Sequence, residues 1–147
     1  MGMTRREMLA AGASGSASLL LVPWSAHAND ETAEIVEQLT GRAAVESDRL
    51  HLKMPAEFPN GYTVPMEIIV DSAMTASDHV RYVRVFAPKN PLPEVVRFDF
   101  VPGRGVARVS TRIRLAEPQH VVAVAEMGDN TLLAAKAWVA VATNGCK

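Results

Sequence analysis

From residue 50 onward the apolar side chains recur at every second position, the period of a strand with one face in a core and the other in water. Leu50, Leu52 and Met54 alternate with His51 and Lys53; Val64, Met66, Ile68 and Val70 share one face; Val83, Val85 and Ala87 repeat the pattern. The segment Pro88-Lys89-Asn90-Pro91-Leu92-Pro93 interrupts it, because proline cannot donate to a central ladder, and Val96, Phe98 and Phe100 resume it. The clearest alternation is Val109-Ser110-Thr111-Arg112-Ile113-Arg114-Leu115, which sends Arg108, Arg112 and Arg114 to the face opposite the apolar one, toward water or a partner. Two further runs, His120 to Met127 and Thr131 to Val141, flank Gly128-Asp129-Asn130, a turn of hairpin length. Upstream, Asp30 to Leu39 reads as a short helix with Glu31 and Glu34 near its positive end, Ile35, Val36 and Leu39 on one side, and Gly41 as its stop.

Seven short strands with turn signals between them predict an all-β fold, an immunoglobulin-like antiparallel β-sandwich with a short N-terminal helix and a flexible C-terminal arm. The cysteine pair of antibody domains is missing, since the chain has one cysteine in 147 residues. Two dozen buried aliphatic side chains, at roughly 1.5 to 3 kcal/mol each, offset the chain entropy without a disulfide.

The first residues have the three parts of an export signal. Arg5 and Arg6 precede the apolar pair Met8-Leu9, the stretch to Val22 is apolar but diluted by Gly12 and Gly15, and Ala26-His27-Ala28 supplies a small-x-small cleavage pattern. The apolar stretch is too short and weak for a stable membrane anchor. The twin arginine resembles the signal of the Tat pathway, which moves folded proteins. The expected organisation is a Tat signal over 1–28, a sandwich over 29–141 and an arm over 142–147, in a periplasmic protein that crosses with a partner subunit.

The 15 basic and 16 acidic side chains are interspersed, so no block of like charge points to nucleic acid. His51, His79 and His120 stand apart, with no metal-ligand spacing, and no metal or other cofactor is expected. Asp71-Ser72 and Ser77-Asp78-His79 contain the residue types of a hydrolytic triad, but no Gly-x-Ser-x-Gly elbow presents a nucleophile, and turn and capping roles fit them better. Met54 and Met66 fall in core phases, which makes packing their role rather than copper binding.

Cys146 differs, as the lone thiol of a chain bound for an oxidising compartment, set after Thr143-Asn144-Gly145 and before Lys147. A tail of about six residues reaches roughly 20 Å, far enough to enter a pocket closed to the globular body. Sulfur forms bonds that thiolates later exchange, but a cysteine of ordinary pKa, about 8.5, is only slightly ionised at neutral pH, so a receiving enzyme would have to activate it. Three readings stand at this point: a covalent carrier, an exported interaction subunit with an idle or disulfide-pairing tail, and a small redox protein using the thiol.

Several strings resemble one family. They are Val64-Pro65 leading to Val70-Asp71-Ser72-Ala73-Met74-Thr75-Ala76, then Val85-Phe86-Ala87-Pro88-Lys89-Asn90-Pro91, Ser110-Thr111-Arg112-Ile113-Arg114-Leu115 and Val122-Ala123-Val124-Ala125-Glu126-Met127. In this order and spacing they are similar to the SoxY family, the sulfur carriers of periplasmic thiosulfate oxidation. The resemblance implies a non-enzymatic subunit that pairs with a SoxZ-like chain and presents sulfur on the position matching Cys146. In that scheme a haem-containing enzyme couples thiosulfate to the arm, a hydrolase releases sulfate, and a sulfane dehydrogenase processes what remains. The family's arm ends Gly-Gly-Cys-Gly-Gly, whereas this chain reads Asn144-Gly145-Cys146-Lys147. Fewer glycines make a bulkier, less free arm, which implies a divergent member serving a different set of enzymes. The face of Arg108, Arg112 and Arg114 is a candidate contact for the partner subunit or for acidic enzyme rims.

Overall fold

The computed structural model describes residues 34–142, which form two β-sheets packed face to face and one short helix. Residues 34–40 are helical (α1), and nine strands follow: β1 (Val45–Glu46), β2 (Leu50–Lys53), β3 (Glu57–Phe58), β4 (Val64–Val70), β5 (Val80–Phe86), β6 (Glu94–Asp99), β7 (Arg108–Ile113), β8 (Gln119–Met127) and β9 (Leu132–Val141). The larger sheet has the order β1-β9-β8-β5-β6 with β3 also on β9, and the smaller is β2-β4-β7. All seven strands expected from the alternation are present. β1 and β3, two residues each, pair parallel with β9 along its outer edge, at Val45 opposite Leu133 and Phe58 opposite Val141. Runs this short carry no readable period, and they cover an edge that would otherwise expose unpaired amides.

The core follows from the period. Along β4, Val64, Met66, Ile68 and Val70 are buried while Pro65 is exposed, and they meet Val83, Val85, Val121, Ala123, Ala125, Leu133 and Val139 of the larger sheet. β8 departs from simple alternation, because every residue but His120 is buried. Its second face is covered by α1, whose Val36, flanked by Ile35 and Leu39, packs on Phe86, Val122, Val124, Leu132 and Ala134. The helix ends as its sequence requires, with Gly41 at φ 72° and its amide donating to Glu37 O at 2.8 Å. The β8–β9 turn closes with Asn130 at φ 67° and the Asp129 carboxylate accepting from Thr131 N at 2.9 Å.

One polar group sits in this second apolar layer. Glu126 is 4% exposed, and its carboxylate accepts from Arg42 and Tyr82 at 2.5 Å each and from Arg81 at 2.6 Å. Arg81 also reaches the Asn130 side chain at 2.9 Å, and Arg42 donates to the Asn130 carbonyl. Burial alone would raise the Glu126 pKa. The bonds from Tyr82 and Arg42 and the two arginine charges outweigh it and hold the carboxyl below 4.5. The cluster ties the exit of α1, the start of β5 and the β8–β9 turn together.

Two outcomes follow from these contacts. A group whose folded pKa is depressed stabilises the protein above its unfolded value and loses that contribution as pH falls through the folded one. Resistance to urea should therefore fall as the pH drops below the ordinary glutamate range, about 4.3, and Glu126→Ala should cost about 2 kcal/mol at neutral pH by stranding the Tyr82 hydroxyl while flattening part of the acid limb. At Gly61 a Cβ would lie 2.0 Å from the carbonyl oxygen of Leu115. Since that obstacle is backbone, Gly61→Ala should lower stability by about 2 kcal/mol in the same titration.

Candidate functional site

The thiol and its neighbours, Thr143, Asn144, Gly145, Cys146 and Lys147, lie outside the described residues, as do Arg5, Arg6, Ala26 and Ala28 of the expected export signal. What the structure defines is the place from which the chain continues toward Cys146. β9 runs to Val141, which is buried beside Phe58, and Ala140 N donates to Ala56 O at 2.8 Å. Cys146 follows Ala142 by four residues. A chain so short spans at most about 14 Å between Cα atoms.

Three loops lie at this end of the sandwich, where β4 starts and β5 and β7 finish, and that of Gly61 approaches Val141. Gly61 lies between Leu115 and Val141, and Leu115 N donates to its carbonyl at 2.8 Å. The loop 87–93 is fixed to the segment before β8 by side-chain amides: Asn90 Nδ2 donates to Arg114 O at 2.8 Å, Ala116 N and Gln119 Nε2 donate to Asn90 Oδ1 at 2.8 and 3.1 Å, and Lys89 N donates to Gln119 Oε1 at 2.8 Å. Gln119 is buried, so its amide is bonded on both sides rather than hydrated. On the surface of these loops the Arg114 guanidinium lies 4.8 Å from the centre of the Tyr62 ring, and Lys89 pairs with Glu117 at 3.2 Å.

The three arginines read as one face are all exposed, as the alternation of β7 requires, but their surroundings differ. Arg108 is bound by Glu67, whose carboxyl is held below its ordinary pKa chiefly by that hydrogen bond against the opposing effect of desolvation. Arg112 lines an open groove on the outer face of the smaller sheet with Lys53, Met54, Pro65 and Glu67, and makes no ion pair among the described residues. Arg114 lies past the end of β7.

The histidines do not converge. His51 bonds Asp71 at 2.9 Å, the His79 ring bonds the Thr75 carbonyl at 3.0 Å and packs against Gly128, and His120 meets Trp138 edge-on at 5.0 Å. Among the described residues no three His, Cys, Asp or Glu are grouped to hold a metal, and no helix is long and apolar enough to cross a membrane. The hydroxyl and carboxylate types of 71–79 build a turn: Ser72 Oγ donates to Asp78 O at 3.0 Å, Ala73 N donates to the Asp78 carboxylate at 3.2 Å, and Asp78 N donates to Thr75 Oγ1 at 3.1 Å. Arg49 pairs with Asp78 at 2.7 Å and, by its hydrogen bond, is the chief cause of that carboxyl's lowered pKa. Met66 is buried and Met54 packs on the core.

Sequence reasoning missed the Asn90–Gln119 network that fixes the loops at the end of β9, and the Glu126 cluster. The one available signal for the cluster was a carboxylate at the end of the apolar run Val121-Val122-Ala123-Val124-Ala125.

Residues 36–146 match the family model described as sulfur oxidation protein SoxY. Among solved structures, the sulfur carrier protein SoxY from Chlorobium limicola f thiosulfatophilum is similar at a TM-score of 0.58 and 27% identity, covering 78% of this chain and 97% of that one. A superoxide reductase (neelaredoxin) from Ignicoccus hospitalis is similar at a TM-score of 0.57 and 16% identity, over 74% of this chain and 89% of that one. A superoxide reductase from Nanoarchaeum equitans reaches 0.53 at 15% identity, over 65% and 97%. The last two show a shared sandwich fold and nothing more. No curated protein matches the chain.

Proposed function

The chain belongs to the SoxY family of sulfur oxidation proteins, and on that premise we propose that it is a sulfur carrier, not an enzyme, which holds thiosulfate-derived sulfur on Cys146 and presents it to partner enzymes. The observation that carries the reading is the extent of the match, which runs on past the end of β9 and finishes at Cys146, the chain's one cysteine. The solved SoxY from Chlorobium limicola, itself a sulfur carrier protein, supports it over nearly its whole length.

In this reading the thiolate of Cys146 joins the outer sulfur of thiosulfate to give a cysteine S-thiosulfonate, and the two electrons released pass to a haem-containing coupling enzyme. Water then cleaves the sulfur–sulfonate bond on a hydrolase, leaving sulfate, two protons and a cysteine persulfide. A sulfane dehydrogenase takes the remaining sulfur further. The coupling enzyme activates the thiol as the attacking thiolate, and the later enzymes act on the conjugate. The sandwich serves as the handle, pairs with a SoxZ-like subunit, and reaches the periplasm through the Tat signal headed by Arg5 and Arg6 and cleaved after Ala28.

Intact-mass measurement of the protein from thiosulfate-grown cells tests the reading. A thiosulfonate or persulfide on Cys146 is expected, and Cys146→Ser should keep the fold and the pairing while abolishing loading. A Ser variant that still supports thiosulfate oxidation, or a wild-type thiol that stays unmodified, would overturn it.

A further inference from the structure

The loops at the end of β9 carry features that folding does not require. Tyr62 is 51% and Leu92 78% exposed, yet both belong to loops pinned by backbone and amide hydrogen bonds, at Gly61 to Leu115 and at Asn90 and Gln119. Apolar side chains shown on rigid loops lose little freedom on association, and tyrosine and arginine are the types that dominate interface energetics.

Arg42, Arg49, Arg81, Arg84, Arg97 and Arg108 all pair with carboxylates. Among the described arginines Arg104, Arg112 and Arg114 have no carboxylate partner, and of these Arg114 is the one stacked on a ring, that of Tyr62, next to the Gly61 that approaches Val141.

Reach then supplies the constraint. Cys146 can lie no more than about 14 Å from Ala142, so a protein that draws the thiol into a recess must bring its own surface up to this end of the sandwich. The geometry points to the surface around Tyr62 and Arg114, with Leu92 on the neighbouring loop, as the docking site for the enzymes that load the carrier. The fitting partner is a protein whose rim, beside the recess, offers a carboxylate to Arg114 and an apolar patch to Tyr62. This rests on the carrier reading and adds to it the face on which loading enzymes dock.

The test uses the full chain with its partner subunit and the organism's haem-containing thiosulfate-coupling enzyme. The double variant Tyr62→Ala with Arg114→Glu, and Arg114→Glu alone, are compared with the unsubstituted protein. The double variant should lose about tenfold or more in kcat/KM for conjugate formation, mostly through KM, with a smaller loss for the single one. The thermal midpoint and the rate at which Cys146 reacts with a small aromatic disulfide should stay unchanged, as both side chains are exposed. A double variant within about twofold of wild type overturns the docking surface alone. Failure of the unsubstituted chain to form any conjugate overturns the carrier reading and the docking surface with it.

Discussion

The fold depends on burying β8 on both faces. Val121, Ala123 and Ala125 pack into the sandwich, and Val122 and Val124 pack under Val36 of α1. A strand enclosed in this way leaves no water for a polar side chain, so Glu126 is tolerable only because two arginines and a tyrosine satisfy it. The requirement works in the other direction too: Arg42 follows α1 directly and Arg81 lies at the start of β5, so one carboxylate holds the helix against the sheet.

β9 inherits its rigidity from this arrangement. It is paired with β8 from Leu132 to Val139, edged by β1 and β3, and pinned at its end by the contact of Val141 with the Gly61 loop. The chain therefore sets out toward Cys146 from a fixed point on a stiff body. The proposed carrier role divides the work physically: the buried polar groups of the sandwich are spent on turns and on the Glu126 cluster, and the exchange chemistry is assigned to Cys146 beyond it. A short connection also couples delivery to recognition, since a thiol tethered within about 14 Å cannot be handed over without the two proteins touching.

The alternation at Val64 to Val70 was legible because a strand with one face in the core must repeat every second residue, and the period is local. The Gly128-Asp129-Asn130 turn and the Gly41 helix stop were legible for a similar reason, as both depend on backbone conformations that few residue types adopt. β8 was read as a strand, but nothing in its own residues told which element would cover its second face. Arg108, Arg112 and Arg114 share a phase in sequence, yet one is neutralised by Glu67, one faces an open groove and one stacks on Tyr62.

The strand periods, the turns, the family strings and the thiol at Cys146 are already present in the order of residues, because each depends on residue type and on spacing between near neighbours. Folding had to place Glu126 among Arg42, Arg81 and Tyr82, use Asn90 and Gln119 to lock the loops at the end of β9, and set Arg114 on the Tyr62 ring. Burial and charge pairing are relations between distant residues, Arg42 and Glu126 being 84 positions apart, and they acquire values only when the chain brings those residues within a few ångströms.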